Sequence, residues 1–186
     1  MRRFIILAVL MAGALAVAFG CLIWHVSRFD EIIEMASARN GVDFYLAKAL
    51  ICEESWFRAD IRGAAGELGL MQIMKPAAAD FADKKGLPPF SEAVLQESRV
   101  NIEIGCWYLG QSLDRYKNSP APLVYALLRY NAGEARADAW LKLALSQAEP
   151  AGVTSEQFCL SLVDFPKTRD YVRRILRRMR SHNFIF

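Results

Sequence analysis

Apolar residues recur every three to four positions along most of this chain, and that spacing predicts amphipathic helices. The predicted helices are Ser27–Arg39, a helix capped by Asp43 that ends at Glu54, a helix opened by Pro76, a helix from about Arg99, Ala121–Tyr130, Glu134–Gln147 and Lys167–Ser181. Residues 84–98 contain Gly86, Pro88 and Pro89 and predict a surface loop. The pattern gives least guidance between Ala148 and Phe165. No stretch alternates as a strand does, so the predicted fold class is mainly α.

One segment departs from this pattern because it has no polar face. After Met1-Arg2-Arg3, residues 4–24 form an uncharged and almost wholly apolar run. At ~1.5 Å per residue, such a run is long enough to cross a hydrocarbon core of ~30 Å. We expect residues 1–26 to be a membrane anchor whose two arginines stay on the cytoplasmic side, and residues 27–186 to form one domain beyond it.

Two other fates of this segment stay open. Ala16-Val17-Ala18 has the small-residue pattern at which a signal peptidase cuts, and Cys21 is a candidate for lipidation. However, the apolar run continues past the cleavage pattern to Trp24, and the residues around Cys21 fit a lipoprotein signal poorly. The sequence therefore favours a retained anchor, with a cleaved signal or a lipoprotein as the alternatives.

Composition excludes some classes of function. The chain is 54% hydrophobic and 23% charged, as globular proteins are, and its net charge of +3 is too small to indicate a nucleic-acid partner. Cys52, Cys106 and Cys159 lie beyond the anchor, and either one disulfide with a free thiol or three buried thiols fits them. Without C-x-x-C spacing we expect small buried hydrophobic residues. No metal or cofactor motif is present, and neither group is expected.

The strongest chemical signal lies between Ala49 and Pro76. A predicted helix ends there in the acidic pair Glu53-Glu54, and a turn-prone segment follows it. Consecutive helical residues point about 100° apart, so we expect one carboxylate in a cleft and the other in solvent. A carboxyl group at a helix C-terminus meets the negative end of the macrodipole, which disfavours its ionisation. General acid catalysis at neutral pH needs such a bias.

Four motifs in this chain, in this order, resemble those of one family. They are Glu54-Ser55, Gly66-x-x-Gly69-Leu70-Met71-Gln72, Asn101-Ile102-x-x-Gly105-x-x-Tyr108-Leu109 and Tyr130-Asn131-Ala132-Gly133. From about Arg28 to the C-terminus the chain resembles the catalytic domain of lytic transglycosylases of the soluble-lytic-transglycosylase type. The resemblance implies a lysozyme-like helical fold, similar to goose-type lysozyme, behind a transmembrane or signal helix.

The resemblance also implies a reaction and a site. It implies cleavage of the β-1,4 bond between N-acetylmuramic acid and N-acetylglucosamine in peptidoglycan, with formation of a 1,6-anhydro ring and without water. Glu54 would be the single general acid and base, whereas paired carboxylates serve ordinary glycosidases. Gln72, Met74, Tyr130 and Asn131 would bind the glycan strand. Purely structural roles stay open for three of these residues: Gln72 could brace the loop, Met74 could belong to the core and Asn131 could cap a helix.

Several residues outside the motifs have a structural explanation that we favour. Trp56, Trp107 and Trp140 are expected to be buried in packing and not stacked on sugars. The arginines of the last predicted helix are expected to form a solvated face, with contact to anionic lipid or to acidic muropeptide as the alternative. His25 and His182 lie far from any nucleophile motif, so a Ser–His or Cys–His pair is not expected.

The chain also departs from the family pattern. Gly63 stands where the family often has serine, Glu67 occupies a position that is usually small, Lys75 is an extra residue, and Lys167 replaces a common acidic residue. The Gly63 and Lys167 departures keep open a non-catalytic glycan-binding or secretion-assembly subunit. A hydrolytic lysozyme-like muramidase is a second rival, because goose-type lysozymes resemble this family in fold and in the catalytic glutamate. The expected partners are glycan strands and the inner membrane, with cell-wall or secretion machinery as a further possibility. The expected location is the periplasmic face of the bacterial inner membrane, or the periplasm if the segment is cleaved.

Overall fold

The computed structural model describes residues 2–185, and the fold is helical throughout, as predicted. The helices are α1 (Arg2–Ser27), α2 (Asp30–Arg39), α3 (Phe44–Ser55), α4 (Lys75–Lys85), α5 (Glu92–Gln96), α6 (Ser98–Tyr116), α7 (Pro122–Ala132), α8 (Glu134–Leu145), α9 (Ser155–Ser161) and α10 (Pro166–Ser181). The β pairing that the structure shows within the described range consists of the isolated bridges Arg62–Leu68 and Leu68–Ile73, both in the loop after α3.

The helix boundaries differ from the sequence prediction in a few places. Helix α1 runs through Ser27, so α2 begins three residues later than expected. Pro76 follows Lys75 as the second residue of α4, where a missing N–H is also harmless. The predicted surface loop contains α5, which Ser91 caps by accepting a hydrogen bond from the Val94 N–H at 3.3 Å. The segment from Ala148 to Phe165, where the hydrophobic pattern made no clear prediction, contains α9. This helix begins with a capping box formed by Thr154 and Gln157.

Helix α3 lies at the centre of the domain. Its middle is buried on almost every side, from Leu46 to Cys52, and it packs against α2 and α10. Helix α6 packs against α2 and α7 and closes the other half of the core. Cys52, Cys106 and Cys159 are buried free thiols within this core, as one of the two sequence alternatives required.

Helix α1 has a different environment. It is long and apolar enough to cross a membrane. Its apolar side chains up to Trp24 are mostly exposed, and Val26 near its end is the residue that it buries in the domain. The domain therefore meets α1 only near the last turn of that helix.

Candidate active site

Helix α3 positions Glu54 because both of its ends are fixed. At the start, the Asp43 carboxylate accepts a hydrogen bond from the Leu46 N–H at 2.9 Å, which confirms the predicted N-cap. At the end, Trp56 and Phe57 have φ values of 53° and 58°, a left-handed conformation that breaks the helix directly after Ser55. Two consecutive non-glycine residues in this region are unusual, and the surrounding contacts must hold them there.

The Glu54 carboxyl group is largely removed from solvent and has one direct hydrogen-bond donor among the described residues. The Tyr171 hydroxyl of α10 donates to Glu54 Oε1 at 2.5 Å. Burial raises the pKa of Glu54 from 4.5 to about 7; the Tyr171 hydrogen bond lowers it, and the charges of Glu53 and Glu67 raise it. Glu54 is therefore about half protonated at neutral pH, which suits a group that must first give a proton and then take one.

The largest cause of this shift is one that the sequence did not suggest. The macrodipole at the end of α3 was expected to disfavour ionisation, but desolvation is the largest contribution. Burial of the end of α3 against α10 depends on tertiary packing, which the local sequence does not reveal.

Glu53 is not solvated, so that part of the sequence prediction was wrong. Arg174 donates to Glu53 Oε1 from Nε at 2.8 Å and from Nη2 at 2.6 Å. Arg178 donates to Glu53 Oε2 at 2.5 Å. The Glu53 side chain is only 11% exposed. Two arginines that were assigned to a solvated face therefore hold α10 against α3, and the same helix supplies Tyr171.

The loop between α3 and α4 is held together by its own backbone. The Gly63 N–H donates to the Glu67 carbonyl at 2.9 Å, and Leu68 and Ile73 exchange two hydrogen bonds at 3.1 and 2.9 Å. This pairing folds residues 61–73 into consecutive turns, within which Gln72 Nε2 donates to the Ile61 carbonyl at 3.4 Å.

Asn101 of α6 attaches this loop to the core. Its side-chain amide donates to the carbonyls of Leu68 and Leu95 at 2.8 and 2.7 Å, and its Oδ1 accepts from the Met71 N–H at 2.8 Å. Gly69 has φ 74°, and a Cβ there would lie 2.5 Å from the Asn101 amide nitrogen. The conformation of the Gly-Leu-Met-Gln motif thus requires both the glycine and the buried asparagine.

A cavity of about 290 Å³ opens beside this loop. Its lining residues are Glu67, Gln72, Ile73, Met74, Ala77, Tyr108, Arg129, Tyr130, Asn131 and Gly133. The structure thus brings Gln72, Met74, Tyr130 and Asn131 together on one wall. Glu54 is not a lining residue of this cavity. It lies close enough to Tyr130, which does line the cavity, for its charge to raise the pKa of that tyrosine.

Gln72 and Tyr130 are both held by hydrogen bonds to backbone. Gln72 has φ 47° and donates through Nε2 to the Gly69 carbonyl at 2.8 Å, so its amide braces the loop while the residue lines the cavity. The Tyr130 hydroxyl donates to the Met71 carbonyl at 2.8 Å. Burial raises the pKa of Tyr130 well above its usual value, so the ring presents a neutral wall to the cavity.

Asn131 and Met74 are more open to solvent. Asn131 Oδ1 accepts a hydrogen bond from the Thr168 hydroxyl at 2.8 Å, which links α7 to the start of α10. Met74 is 39% exposed and precedes α4. Its thioether therefore belongs to the cavity wall and not to the core.

Glu67 occupies the space that a side chain at position 63 would need. A Cβ on Gly63 would lie 2.2 Å from Glu67 Oε2 and 2.7 Å from Gln72 Oε1. The Glu67 carboxylate also accepts from the Ala65 N–H at 3.0 Å. Two of the departures from the family pattern, Gly63 and Glu67, are therefore coupled, because the first makes room for the second.

Sequence reasoning did not assign three residues of this site. Tyr171 lies in the last predicted helix, and only its packing shows that it bonds to Glu54. Glu67 was noted as a departure, but its position on the cavity wall was not foreseen. Arg129 also lines the cavity, stacks 4.6 Å from the Tyr108 ring centroid and pairs with Glu134 at 2.9 Å. The sequence feature that could have identified Arg129 is its position directly before Tyr130 of the fourth motif.

The tryptophan prediction was correct for two residues and wrong for one. Trp107 and Trp140 are 7% and 6% exposed, whereas Trp56 is 39% exposed. Trp56 does not line the cavity, and its indole ring stacks on His25 of α1 with 4.9 Å between the ring centroids.

Known proteins share both the sequence pattern and the fold. The soluble lytic murein transglycosylase of Escherichia coli (strain K12) is 28% identical over 149 residues, which are 80% of this chain and 22% of that protein. Membrane-bound lytic murein transglycosylase F of Desulfosudis oleivorans is 29% identical over 112 residues, 59% of this chain and 23% of that protein. This chain thus spans less than a quarter of the length of these relatives.

The fold comparison agrees with the sequence comparison. The X-ray structure of an inactive glutamate-to-glutamine mutant of a lytic transglycosylase from Pseudomonas aeruginosa is 28% identical, with a TM-score of 0.68 over 80% of this chain and 23% of that one. This likeness confirms the lysozyme-like helical fold. The family described as Transglycosylase SLT domain matches residues 31–151, more than half of the chain, and includes the region of all four motifs. The chain therefore belongs to the transglycosylase SLT domain family.

Proposed function

We propose that this chain is a lytic transglycosylase that cleaves the β-1,4 bond between N-acetylmuramic acid and N-acetylglucosamine in peptidoglycan. The observation that carries the proposal is the pKa of Glu54, which burial raises to about 7 beside a cavity lined by polar and aromatic residues. The names of its relatives, which are lytic murein transglycosylases, support the same reaction.

Glu54 acts twice in this reaction. The protonated carboxyl group donates to the bridging oxygen as the bond from that oxygen to C1 of the muramic sugar breaks. The resulting carboxylate then takes the proton of the C6 hydroxyl on the same sugar, and the C6 oxygen bonds to C1. The products are a free hydroxyl and a 1,6-anhydro ring, and Glu54 regains its proton without the use of water.

Tyr171 suits both halves of this cycle. Burial holds the pKa of its hydroxyl well above the usual value, so Tyr171 stays neutral and donates to Glu54 Oε1. The second carboxyl oxygen of Glu54 is then the one that carries the transferable proton. The same hydrogen bond stabilises the carboxylate that forms after the first step.

The other predicted residues bind the glycan strand in this proposal. Gln72 has a carbonyl oxygen that can accept from an acetamido or hydroxyl group, because its amide nitrogen already bonds to the loop. Tyr130 supplies an apolar ring face, and Met74 supplies an adaptable thioether. Asn131 borders the same cavity at the end of α7.

A second candidate function has one observation in its favour. The Glu67 carboxylate lines the same cavity, so a second acid is available to activate a water molecule. In that case the protein would be a hydrolytic muramidase, in which Glu54 is the acid and Glu67 the base. Burial of Glu54 beside a neutral tyrosine favours the single-carboxylate reaction, because one group with a pKa near neutrality can perform both proton transfers.

One experiment separates these functions. The full chain in detergent micelles is incubated with purified murein sacculi, and the released fragments are identified by mass spectrometry. A lytic transglycosylase gives anhydro ends, and a hydrolase gives reducing ends that are heavier by one water. The Glu54→Gln variant should release neither, and Glu67→Gln should still release anhydro ends. Equal release by wild type and Glu54→Gln would contradict the role of Glu54, and no release by wild type would favour a binding or assembly subunit.

We also propose that α1 is retained and anchors residues 27–186 at the periplasmic face of the inner membrane. The length and apolar character of α1 support this, and so does the name of the membrane-bound relative. Intact-mass analysis of the protein from membranes washed in alkaline carbonate tests it. A chain that keeps residues 1–26 and resists extraction is expected, whereas a shortened chain in the soluble fraction would show a cleaved signal.

A further inference from the structure

The end of α1 is bonded to the turn that ends the catalytic helix. His25 Nε2 lies 2.8 Å from the Trp56 carbonyl oxygen, within hydrogen-bond distance. The His25 and Trp56 rings are stacked, with an angle of 27° between their planes. The Arg28 guanidinium donates to the Phe57 carbonyl at 2.6 Å. The anchor and the site are therefore connected by direct contacts as well as by the chain.

This turn holds one aromatic side chain inward and the other outward. Phe57 is completely buried, whereas Trp56 is 39% exposed. Both residues have a left-handed backbone, and the two carbonyl oxygens are those that His25 and Arg28 contact. The direction of the Trp56 side chain is thus fixed by the same contacts that join the turn to α1.

The position of Trp56 along α1 follows from the length of the apolar run. Residues 4–24 form a helix of about 30 Å, which matches the thickness of a hydrocarbon core. Trp24, 62% exposed, ends the run, and the Arg28 guanidinium lies 5.1 Å from the centroid of its ring. Because His25 directly follows Trp24, a ring stacked on His25 lies at the level of the lipid headgroups.

The chemistry of the turn fits that layer. Tryptophan is enriched at membrane–water interfaces because its large apolar ring carries one polar N–H. Two exposed arginines accompany it: Arg28 contacts the turn, and Arg58 donates through Nε to the Ser55 carbonyl at 3.2 Å. Both can pair with lipid phosphates while their apolar stems stay lower in the interface.

We propose that Trp56 inserts into the headgroup layer of the membrane that α1 crosses, so that the turn after the catalytic helix is a second membrane contact. This inference rests on the proposed retention of α1. Trp56 lies two positions after Glu54 in the chain, so their Cα atoms are no more than ~8 Å apart. The Glu54 carboxyl group is therefore held just above the membrane surface. The substrate that it can reach is a glycan strand lying at that surface.

Fluorescence quenching in vesicles tests this position without any change to a buried tryptophan. The full chain is reconstituted in vesicles of phosphatidylethanolamine and phosphatidylglycerol that contain brominated lipids. The Trp24→Phe variant keeps Trp56 with Trp107 and Trp140, and a double variant with Trp56→Phe keeps only the two buried rings. We expect lipid bromines to quench part of the fluorescence of the first variant and none of the second. Bromines near the headgroups should quench more than bromines at the bilayer centre.

The single variant Trp56→Phe separates failure of this inference from failure of the anchor. It keeps Trp24, which must be quenched if α1 crosses the bilayer. Quenching of Trp24 together with no quenching of Trp56 would overturn the inference and leave the anchor intact. No quenching of either ring would overturn both. A Trp56 signal that responds to murein fragments and not to brominated lipid would assign the ring to the glycan strand and would also overturn the inference.

Discussion

Glu53 and Glu54 are neighbours on one helix, and the structure gives them opposite surroundings. The Glu53 carboxylate receives hydrogen bonds from Arg174 and Arg178, whereas Glu54 receives its one direct hydrogen bond from the neutral Tyr171 hydroxyl. All three donors come from α10. Tyr171, Arg174 and Arg178 lie three and four residues apart, which places them on one face of that helix.

The difference shows how one helix end can hold a paired carboxylate and a carboxyl group with a raised pKa side by side. Rotation by about 100° between consecutive residues turns one carboxylate towards arginines and the other towards a buried hydroxyl. Two cations stabilise the charge on Glu53 and clamp α3 to α10. Without a cation, burial favours the neutral form of Glu54 and raises its pKa to about 7. In the proposed reaction, the proton on Glu54 is thus available at neutral pH because no cation is paired with this carboxylate among the described residues.

The largest expected effect is on activity. Glu54→Gln should lower the rate of glycan cleavage about 10⁴-fold, the upper end for loss of a general acid, because the same group performs both proton transfers. Glu53→Gln is the matched control and should lower the rate by less than about tenfold, through packing alone. Release of soluble muropeptides from sacculi measures both. Equal losses in the two variants would show that the neighbours do not have separate roles.

The second effect is on the pH dependence of stability. Native Glu54 binds its proton more tightly than an unfolded glutamate, so the contribution of Glu54 to wild-type stability should fall as pH rises from 4.5 to about 7 and then stay constant. The difference corresponds to about 3 kcal/mol. Glu54→Gln should lose this component and be more stable than wild type above neutrality. Urea unfolding across this pH range measures the difference, and parallel curves for the two proteins would contradict it.

The third effect is on the clamp itself. Glu53→Gln leaves two arginines without their carboxylate and should destabilise the domain by about 2 kcal/mol, less than for a fully buried pair because Arg174 is 42% exposed. The midpoint of urea unfolding measures this loss. Glu92→Gln is a useful control, since Glu92 also pairs with two cations, Arg62 and Lys75, but at an exposed position. An equal loss in both variants would argue against a special role for the clamp.

The fourth effect is on the pH–rate profile. Tyr171→Phe removes the hydrogen bond that lowers the pKa of Glu54, so the alkaline limb of the profile should move up by about one pH unit. Tyr116→Phe removes a comparable hydroxyl, which bonds to Asp138 at 2.6 Å away from the site, and should leave the profile in place. A downward move in Tyr171→Phe would contradict the assigned role.

The smallest effect concerns the wall of the cavity. A side chain in Gly63→Ser would displace the Glu67 carboxylate, whose charge raises the pKa of Glu54. The alkaline limb should therefore move down by less than the Tyr171 variant moves it up. Gly63→Ala adds the same Cβ without a hydroxyl, so any further difference in KM between the two variants reports the serine hydroxyl. No movement in either variant would separate Glu67 from the titration of Glu54.

The sequence predicts the fold well where structure is local. The Asp43 cap and the apolar face of α6 follow from spacing, and the structure has both. Helix α5 was missed because it has only five residues in a segment that contains prolines. It is held in place by tertiary contacts, in which Glu92 pairs with Arg62 and with Lys75, and periodicity carries no information about such pairs.

The sequence identified several residues that line the cavity, but it did not reveal the interactions around Glu53 and Glu54. The family resemblance assigned Gln72, Met74, Tyr130 and Asn131 to glycan binding, and all four line one cavity, while their roles stay a prediction. The partners of Glu53 and Glu54 come from α10, more than a hundred positions away in the sequence, so neither the clamp nor the burial behind the pKa of Glu54 could be read locally. Trp56 was misjudged for the same reason, because its partner His25 belongs to α1.

The titration of Glu54 tests the central claim most directly. Carboxyl-carbon NMR of the full chain with isotope-labelled glutamate follows each side chain with pH, and the signal that disappears in Glu54→Gln identifies the residue. The surroundings described above predict that this signal titrates with a midpoint at about pH 7. A midpoint at or below 4.5, the ordinary value for glutamate, would show that the carboxyl group is ionised at neutral pH and would contradict its role as the general acid.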